Sequence, residues 1–557
     1  MSIEDFRSLP PESSIETDLC LIGSGFAGWT IAQELRDSGL RILVLESGGI
    51  ASEPDTDALN HIESAGVVLS NFWRSRVLGG TSDVWNGRCI PLDEIDYEAR
   101  PWVPLSGWPF GHEAVAPYLD RASEYLGAGP YGPNGTPPNS VGFTERPDVD
   151  PARLISTWWQ YSQGPGKRGP MRCGLNFLAH GSTNLRVLVH ATVTQLNTSA
   201  SGAMLESLEI TDPQGRRATV RARAVVLCAG GVENARILLY SNRVMPRGVG
   251  NGYDVVGRFL MDHPNTEDYL VRFDPRDSAR VRALFGPYRA NGERGRHLFI
   301  EGLALSPEQQ RRDGLLNCAA MTYDHPSADD PIEATKRLYR RPSGRTVSDL
   351  GIVVSQSGFV LNALYTRLRK QPVARKVDQI GLIARVEQVP DRDSRIRLTE
   401  RRDRLGLPIV EADWRIGGQE RASVSVLGQN IAREFKRLGL LPVHLADWVQ
   451  DGRSEDATFI GASHPSGTTR MANNPRYGVV DADCQVHGVA CLYAAGSSVF
   501  PTVGHANPTL TIVALAIRLA HHLRERLSAA ASAAVVTERA EPQTKSVGQG
   551  GELPIPA

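Results

Sequence analysis

The chain has 557 residues, too many for one ordinary hydrophobic core, and this length suggests two to four domains. Its composition is globular, 41% apolar and 22% charged. A formal net charge of −1 gives neither a basic footprint for nucleic acid nor an acidic field for a polycationic partner. The seven cysteines are odd in number, scattered and without a CxxC pair, which argues against a disulfide framework or a zinc site and fits a reducing compartment. The opening residues lack the basic and apolar regions of a signal peptide, and no apolar run reaches the roughly 18–20 residues of a membrane-spanning helix. A cytoplasmic protein without membrane insertion is expected.

The first periodic element is Asp18–Ile22, an apolar run that predicts a buried parallel strand. It breaks into Gly23-Ser24-Gly25-Phe26-Ala27-Gly28 and a helical pattern through Arg36; a second strand, Arg41–Leu45, ends on Glu46. In such a βαβ unit Gly23 permits the sharp turn, Gly25 lets backbone approach a pyrophosphate, and Gly28 allows close helix–strand contact. The helix N-terminus offers free N–H groups to the phosphates. Glu46, 18 residues after Gly28, is placed for ribose hydroxyls and would repel a 2′-phosphate. An ordinary turn reads similarly, but strand, helix and acid at this spacing favour the dinucleotide site. They do not separate FAD from NAD.

A second strand–glycine–helix unit follows: Ala224–Cys228, Ala229-Gly230-Gly231, then Val232–Ser241. Residues 271–450 alternate strand-like runs (Ile380–Val386, Arg395–Leu398, Ile409–Trp414) with charged helical stretches such as Ala422–Leu438, as in an antiparallel sheet carrying helices. Near the end, Leu492–Ala495 reads as a strand, and Asn507-Pro508 opens a helix to about Arg526. The expected fold is α/β. A discontinuous Rossmann-type dinucleotide domain takes 1–110, 170–270 and 455–527; 111–169 connects; an α+β substrate domain takes 271–454; and 528–557 is a disordered tail.

These motifs, together with Gly79-Gly80-Thr81-Ser82, Gly257-Arg258, Asp262-His263-Pro264, His464-Pro465-Ser466-Gly467-Thr468 and Ala506-Asn507-Pro508-Thr509, resemble the glucose–methanol–choline (GMC) oxidoreductases. They stand in that family's order from residue 18 to about 525, closest in feel to its pyranose-oxidase-like and bacterial sugar dehydrogenase branch. The resemblance implies FAD and the oxidation of an alcohol, with a sugar, glycoside or cyclitol favoured. It places Gly23, Gly25, Gly28 and Glu46 on the ADP half and the Val193 backbone on adenine. Gly79, Gly80, Thr81, Ser82 and Asn86 would lie along the isoalloxazine, with Gly496, Pro508 and Thr509 also at the cofactor. Some relatives tether the flavin through a histidine in this loop; Val84 stands there, so the FAD is expected to be noncovalent.

An alcohol that loses a hydride also needs a base for its hydroxyl proton, and histidine titrates in the right range. His464 and His505 compete for that role. The resemblance assigns it to His464, with Asn507 orienting the hydroxyl and His505 in the pocket wall, while His263 is read as structural. Each histidine could equally be a satisfied core residue, and the flanking motif decides only for His464. The helix after Pro508 could favour negative charge at the flavin pyrimidine through its dipole, or be an ordinary core helix. The expected partners are a small-molecule alcohol and an electron acceptor (oxygen, quinone or another carrier). Three rivals remain at this point: a lyase keeping flavin as a scaffold, a nicotinamide-dependent dehydrogenase, and a catalytically silent FAD-binding subunit.

Overall fold

The computed structural model describes residues 2–68, 74–131, 148–164, 169–179, 182–292, 294–340, 346–368 and 375–540. Its first sheet has eight strands. Ser2–Asp5, Leu185–Val189, Ile42–Leu45, Ser13–Ile22 and Arg217–Leu227 lie side by side and parallel, and Leu492–Ala494 pairs parallel to the last. Leu205–Thr211 and Thr192–Thr198 extend it antiparallel. Strand Ser13–Ile22 is longer than its apolar run because its first half alternates buried and exposed residues. Only Leu19-Cys20-Leu21-Ile22 is covered on both faces. The three strand–turn–helix units found in the sequence meet here. Helix Phe26–Glu34 follows the first glycine turn, Gly230–Tyr240 the second, and Thr509–Ala540 the third.

The second sheet has ten strands, all antiparallel; its main order is His444–Leu445, Val271–Phe273, Val377–Val386, Cys318–Pro326, Gly295–Leu305, Leu154–Tyr161, Arg88–Cys89. Helix Gly418–Arg437 buries Val424, Leu427, Ile431 and Phe435 in one core with Leu270, Val271, Leu382 and Ala384 of this sheet. That is the antiparallel sheet with helices expected for the substrate region.

Its membership corrects the expected domain limits in three places. Leu154–Tyr161, inside the supposed connector 111–169, is an interior strand with Trp158 and Trp159 fully buried. Arg88–Cys89 and Pro264–Thr266, assigned to the dinucleotide domain, also belong to this sheet. Arg395–Arg402 and Pro408–Trp414, assigned to the substrate domain, leave it instead and form a separate three-stranded sheet with Ile62–Gly66. Ile396, Val410, Ala412 and Trp414 pack on Val232 and Leu260, and Ile396 N–H donates to the Gly257 carbonyl at 2.7 Å. An alternating pattern announces a strand but not which sheet receives its apolar face.

The last helix runs to Ala540, past the expected stop near Arg526 and into the residues expected to be disordered. Its extension is rich in alanine, the residue with the highest helix propensity. The remainder of that expected tail, 541–557, lies outside the described residues.

Candidate active site

A cavity of about 600 Å³ runs between the two sheets, from Glu46, Val193 and Tyr240 at one end to His464 and Asn507 at the other. Three helices begin on it, at Phe26, Gly230 and Thr509. The N-cap of the first is Gly25, which offers no side chain to its N–H groups. Such open helix starts attract anions.

The glycines divide into two kinds. A Cβ on Gly23, where φ is +107°, would lie 2.7 Å from the Cys228 carbonyl oxygen, and one on Gly28 would lie 2.0 Å from the Gly23 carbonyl oxygen. A Cβ on Gly25 would meet nothing within 4 Å, because it points into the cavity. Gly28 and Gly79 therefore do not face the cavity as cofactor ligands. Gly28 lets helix pack on turn, and Gly79 lets its backbone pass Gly174, where an added Cβ would come within 2.3 Å of the amide nitrogen.

Glu46 is buried, and this burial raises its carboxyl above the ordinary range. Oε2 accepts from the Ser24 hydroxyl at 2.5 Å and the Ser24 amide at 3.3 Å, while Oε1 accepts from Gly48 N–H at 2.9 Å. Of about four acceptor positions on a carboxylate, roughly one is left for a ribose hydroxyl. The Gly79 amide donates to the Ser24 hydroxyl at 2.8 Å, so the dinucleotide turn and the Gly79–Asn86 loop are locked together. Gly80, Thr81, Ser82 and Asn86 line the cavity, as do Gly496, Pro508 and Thr509. The Ser82 hydroxyl itself turns away, donating to the Gly79 carbonyl and accepting from Cys173 N–H. The Val193 carbonyl already accepts from the Tyr240 hydroxyl at 2.5 Å, which leaves one lone pair on that oxygen.

At the other end, Asp262 collects three backbone amides: His263 at 2.6 Å and His464 at 2.9 Å on Oδ1, and Ser463 at 3.0 Å on Oδ2. This brings the two imidazoles together, Nδ1 to Nδ1 at 3.2 Å, with ring centroids 5.1 Å apart at 84°. The outer nitrogen of His263, Nε2, lies 3.2 Å from the Val503 carbonyl oxygen. A carbonyl can only accept, so Nε2 of neutral His263 carries the proton and its Nδ1 is a lone pair. Nδ1 of His464 is then the donor, which leaves His464 Nε2 unprotonated in the cavity. Burial lowers both histidines below the ordinary imidazole range, aided for His464 by His263, Arg385 and Arg88; His263 is pushed down to about 3. Both are neutral at pH 7.

Asn507 Nδ2 stands 3.4 Å from His464 Nε2, and its Oδ1 accepts from Arg385 at 2.9 Å. Arg385 also donates to Asn265 Oδ1 at 2.9 Å. This buried guanidinium is thus held by two neutral carbonyls, and among the described residues it makes no carboxylate ion pair within 4.0 Å. It leaves a positive potential beside His464. Neither Arg385 nor the His263 link was found from the sequence, although an arginine inside the apolar run Ile380–Val386 was a signal.

His505 is not in the pocket wall. It is 1% exposed, packs edge-on against Trp159 at 5.8 Å, and lies 3.3 Å from Asp93 in a buried group with Asp96, Arg100 and Glu387. His505→Ala should therefore lower stability by about 1–3 kcal/mol by leaving the partly buried Asp93 carboxylate with Asn317 as its remaining side-chain partner. The apparent affinity for the alcohol should stay within about threefold of wild type. A denaturation midpoint equal to wild type together with a shifted KM would return His505 to the pocket.

Parallel sheet, glycine turn and a histidine centre closed by an antiparallel sheet define an α/β oxidoreductase. Residues 390–516 match the GMC oxidoreductase family model. It is 24% identical to paromamine 6′-oxidase of Streptomyces fradiae over 549 residues, 90% of each chain. With the fructose dehydrogenase large subunit of Gluconobacter japonicus it shares 25% over 337 residues, 60% of this chain and 53% of that one. It superposes on pyridoxine 4-oxidase from Mesorbium loti with TM-score 0.54 at 16% identity, over 91% of this chain and 99% of that one. Formate oxidase gives TM-score 0.54 at 16% identity, over 93% and 99%. GMC oxidoreductases bind FAD, and this chain is an enzyme of the kind that oxidises a hydroxyl group.

Proposed function

We propose that the chain holds FAD noncovalently in this cavity and oxidises a hydroxyl of a sugar, glycoside or cyclitol to a carbonyl, with His464 as general base. The observation that carries this reading is the fixed tautomer of His464: a neutral imidazole whose free Nε2 faces the same cavity as the glycine turn. The sugar class draws on relatives named paromamine 6′-oxidase and 6‴-hydroxyparomomycin C oxidase, each matched over 90% or more of this chain.

The cavity fits the cofactor: Gly25 leaves backbone bare where a pyrophosphate would lie, and three helix starts supply N–H groups. Gly23, Gly25 and Glu46 would hold the ADP half with the Val193 edge. Gly80, Thr81, Ser82, Asn86, Gly496, Pro508 and Thr509 would hold the flavin half. FAD, when bound, supplies the acceptor for the hydride that leaves the alcohol carbon. His464 Nε2 takes the hydroxyl proton and so prevents a protonated carbonyl from accumulating. Asn507, its oxygen fixed by Arg385, presents its amide N–H to the substrate oxygen. Arg385 favours negative charge on that oxygen while the proton leaves.

Acid precipitation should release intact flavin at about one per chain, because Val84 offers no nucleophile for a tether. Under anaerobic conditions a member of a polyol and glycoside library should bleach the yellow protein. Flavin retained on denatured protein would overturn the noncovalent assignment. A protein that no alcohol bleaches, while its flavin remains reducible by dithionite, would overturn the redox role.

A further inference from the structure

Between strands Cys318–Pro326 and Val377–Val386 the chain makes a helical excursion that the active site does not use. Two of its helices, Thr346–Ser355 and Ser357–Leu368, each turn a stripe of large apolar side chains to the outside. On the first, Val347, Leu350 and Val354 follow the i, i+3, i+7 pattern and are 86%, 55% and 66% exposed. On the second, Leu361, Leu364, Tyr365 and Leu368 follow i, i+3, i+4, i+7 and are 66%, 58%, 53% and 77% exposed. A water-facing helix shows the opposite arrangement. Here the acidic residue, Asp349, is the buried one, paired with Arg337 at 2.6 Å. Contiguous exposed apolar stripes of this kind mark an interaction face.

Charge identifies the occupant. Residues 329–376 contain ten Lys or Arg and four Asp or Glu, a surplus of six on a chain whose net charge is −1. The four acids are engaged within the excursion: Asp329 with Lys376, Asp330 with Arg375, Glu333 with Lys336 and Arg375, and Asp349 with Arg337. The surplus falls on Arg340, Arg341, Arg345, Arg367, Arg369 and Lys370, which bracket the two apolar helices in sequence. Apolar stripes on helices flanked in sequence by arginine match an anionic bilayer face, where acyl chains meet phosphate headgroups. A second copy would bring the same surplus of positive charge against this one. Among the described residues no single helix is long and apolar enough to cross a membrane, and these two meet at 74°. The geometry points to a pair of helices lying on the surface, not through it.

We propose that helices Thr346–Ser355 and Ser357–Leu368 dock the enzyme on an anionic membrane surface. The expectation of no membrane insertion then holds only for spanning segments. The excursion stands on the hairpin that supplies Tyr323, Ile383 and Arg385 to the cavity wall, and Pro326 is three residues, roughly 10 Å, from Tyr323. Docking would therefore fix this wall relative to the bilayer.

The test is flotation of the full-length holoenzyme with phosphatidylcholine vesicles, with and without about 30% phosphatidylserine. The protein should float with the anionic vesicles, and at least about tenfold less with phosphatidylcholine alone or in about 0.5 M salt. The variant Leu350→Glu, Val354→Glu, Leu361→Glu, Leu364→Glu should lose at least about tenfold in binding, with flavin content and oxidation of a water-soluble alcohol unchanged. A second variant, Arg341→Gln, Arg345→Gln, Arg369→Gln, keeps the apolar stripes and should weaken binding to anionic vesicles by at least about tenfold. No flotation with either vesicle, or flotation of both variants like wild type, would overturn the proposal. So would a wild-type dimer that the glutamate variant turns into a monomer, or a face covered by a co-purifying acidic protein.

Discussion

Replacing His464 with alanine should leave FAD bound and slow anaerobic flavin reduction by the alcohol at least about a hundredfold, the usual cost of losing a positioned general base. The fold should survive, because the Asp262 carboxylate holds the His464 backbone amide and not its ring. Asn507→Ala should slow the same step less, since it removes the orienting amide but leaves the free Nε2 in place. The pH dependence has a definite sign. Burial, His263, Arg385 and Arg88 all lower the His464 pKa, and a base is inactive only below its own pKa. Reduction should therefore stay flat as pH falls through about 6.5, where a free imidazole would protonate, and decline only in more acidic solution. An acid limb at or above pH 6.5 would contradict this environment. Stopped-flow reduction that is normal for His464→Ala and crippled for His505→Ala would reverse the assignment of the two histidines.

Gly25→Val and Gly28→Val should both abolish flavin loading, for different reasons. The Cβ of Gly25 enters open cavity, and its φ of −66° suits any residue, so the apo protein should fold with near wild-type stability and simply lack yellow colour. At Gly28 the new Cβ would lie 2.0 Å from the Gly23 carbonyl oxygen, so helix and turn must part. That overpacking costs about 1–3 kcal/mol or more and should appear as a lowered melting temperature of the apo protein. The measurement is flavin absorbance per chain beside thermal denaturation. Flavin bound by Gly25→Val at wild-type stoichiometry would remove the turn from the cofactor site.

The contrast between these glycines shows how far motif reading reached. The fingerprint was legible because a strand, a bare turn and a helix start are short-range features, fixed by residues within one turn of each other. Which glycine faces the open cavity and which faces protein was not, since the answer for Gly79 lies with Gly174 and for Gly23 with Cys228. The same limit explains His505. Its place two residues before Asn507 suggested the pocket wall, but it folds back on Asp93 and Trp159.

By itself the sequence determined the strand–glycine–helix units and the apolar run Ile380–Val386 of the second sheet through local period and turn chemistry, while the segments that carry His464 and Asn507 were singled out by the family resemblance. Tertiary structure alone decided the tautomer of His464 and the charge beside it. His263 meets a carbonyl 240 residues away, and Arg385 meets Asn507 across 122 residues. It also decided that Arg395–Arg402 and Pro408–Trp414 leave the large sheet for a smaller one. A side chain's protonation and a strand's neighbours depend on groups brought close only by folding. No period or spacing along the chain encodes them.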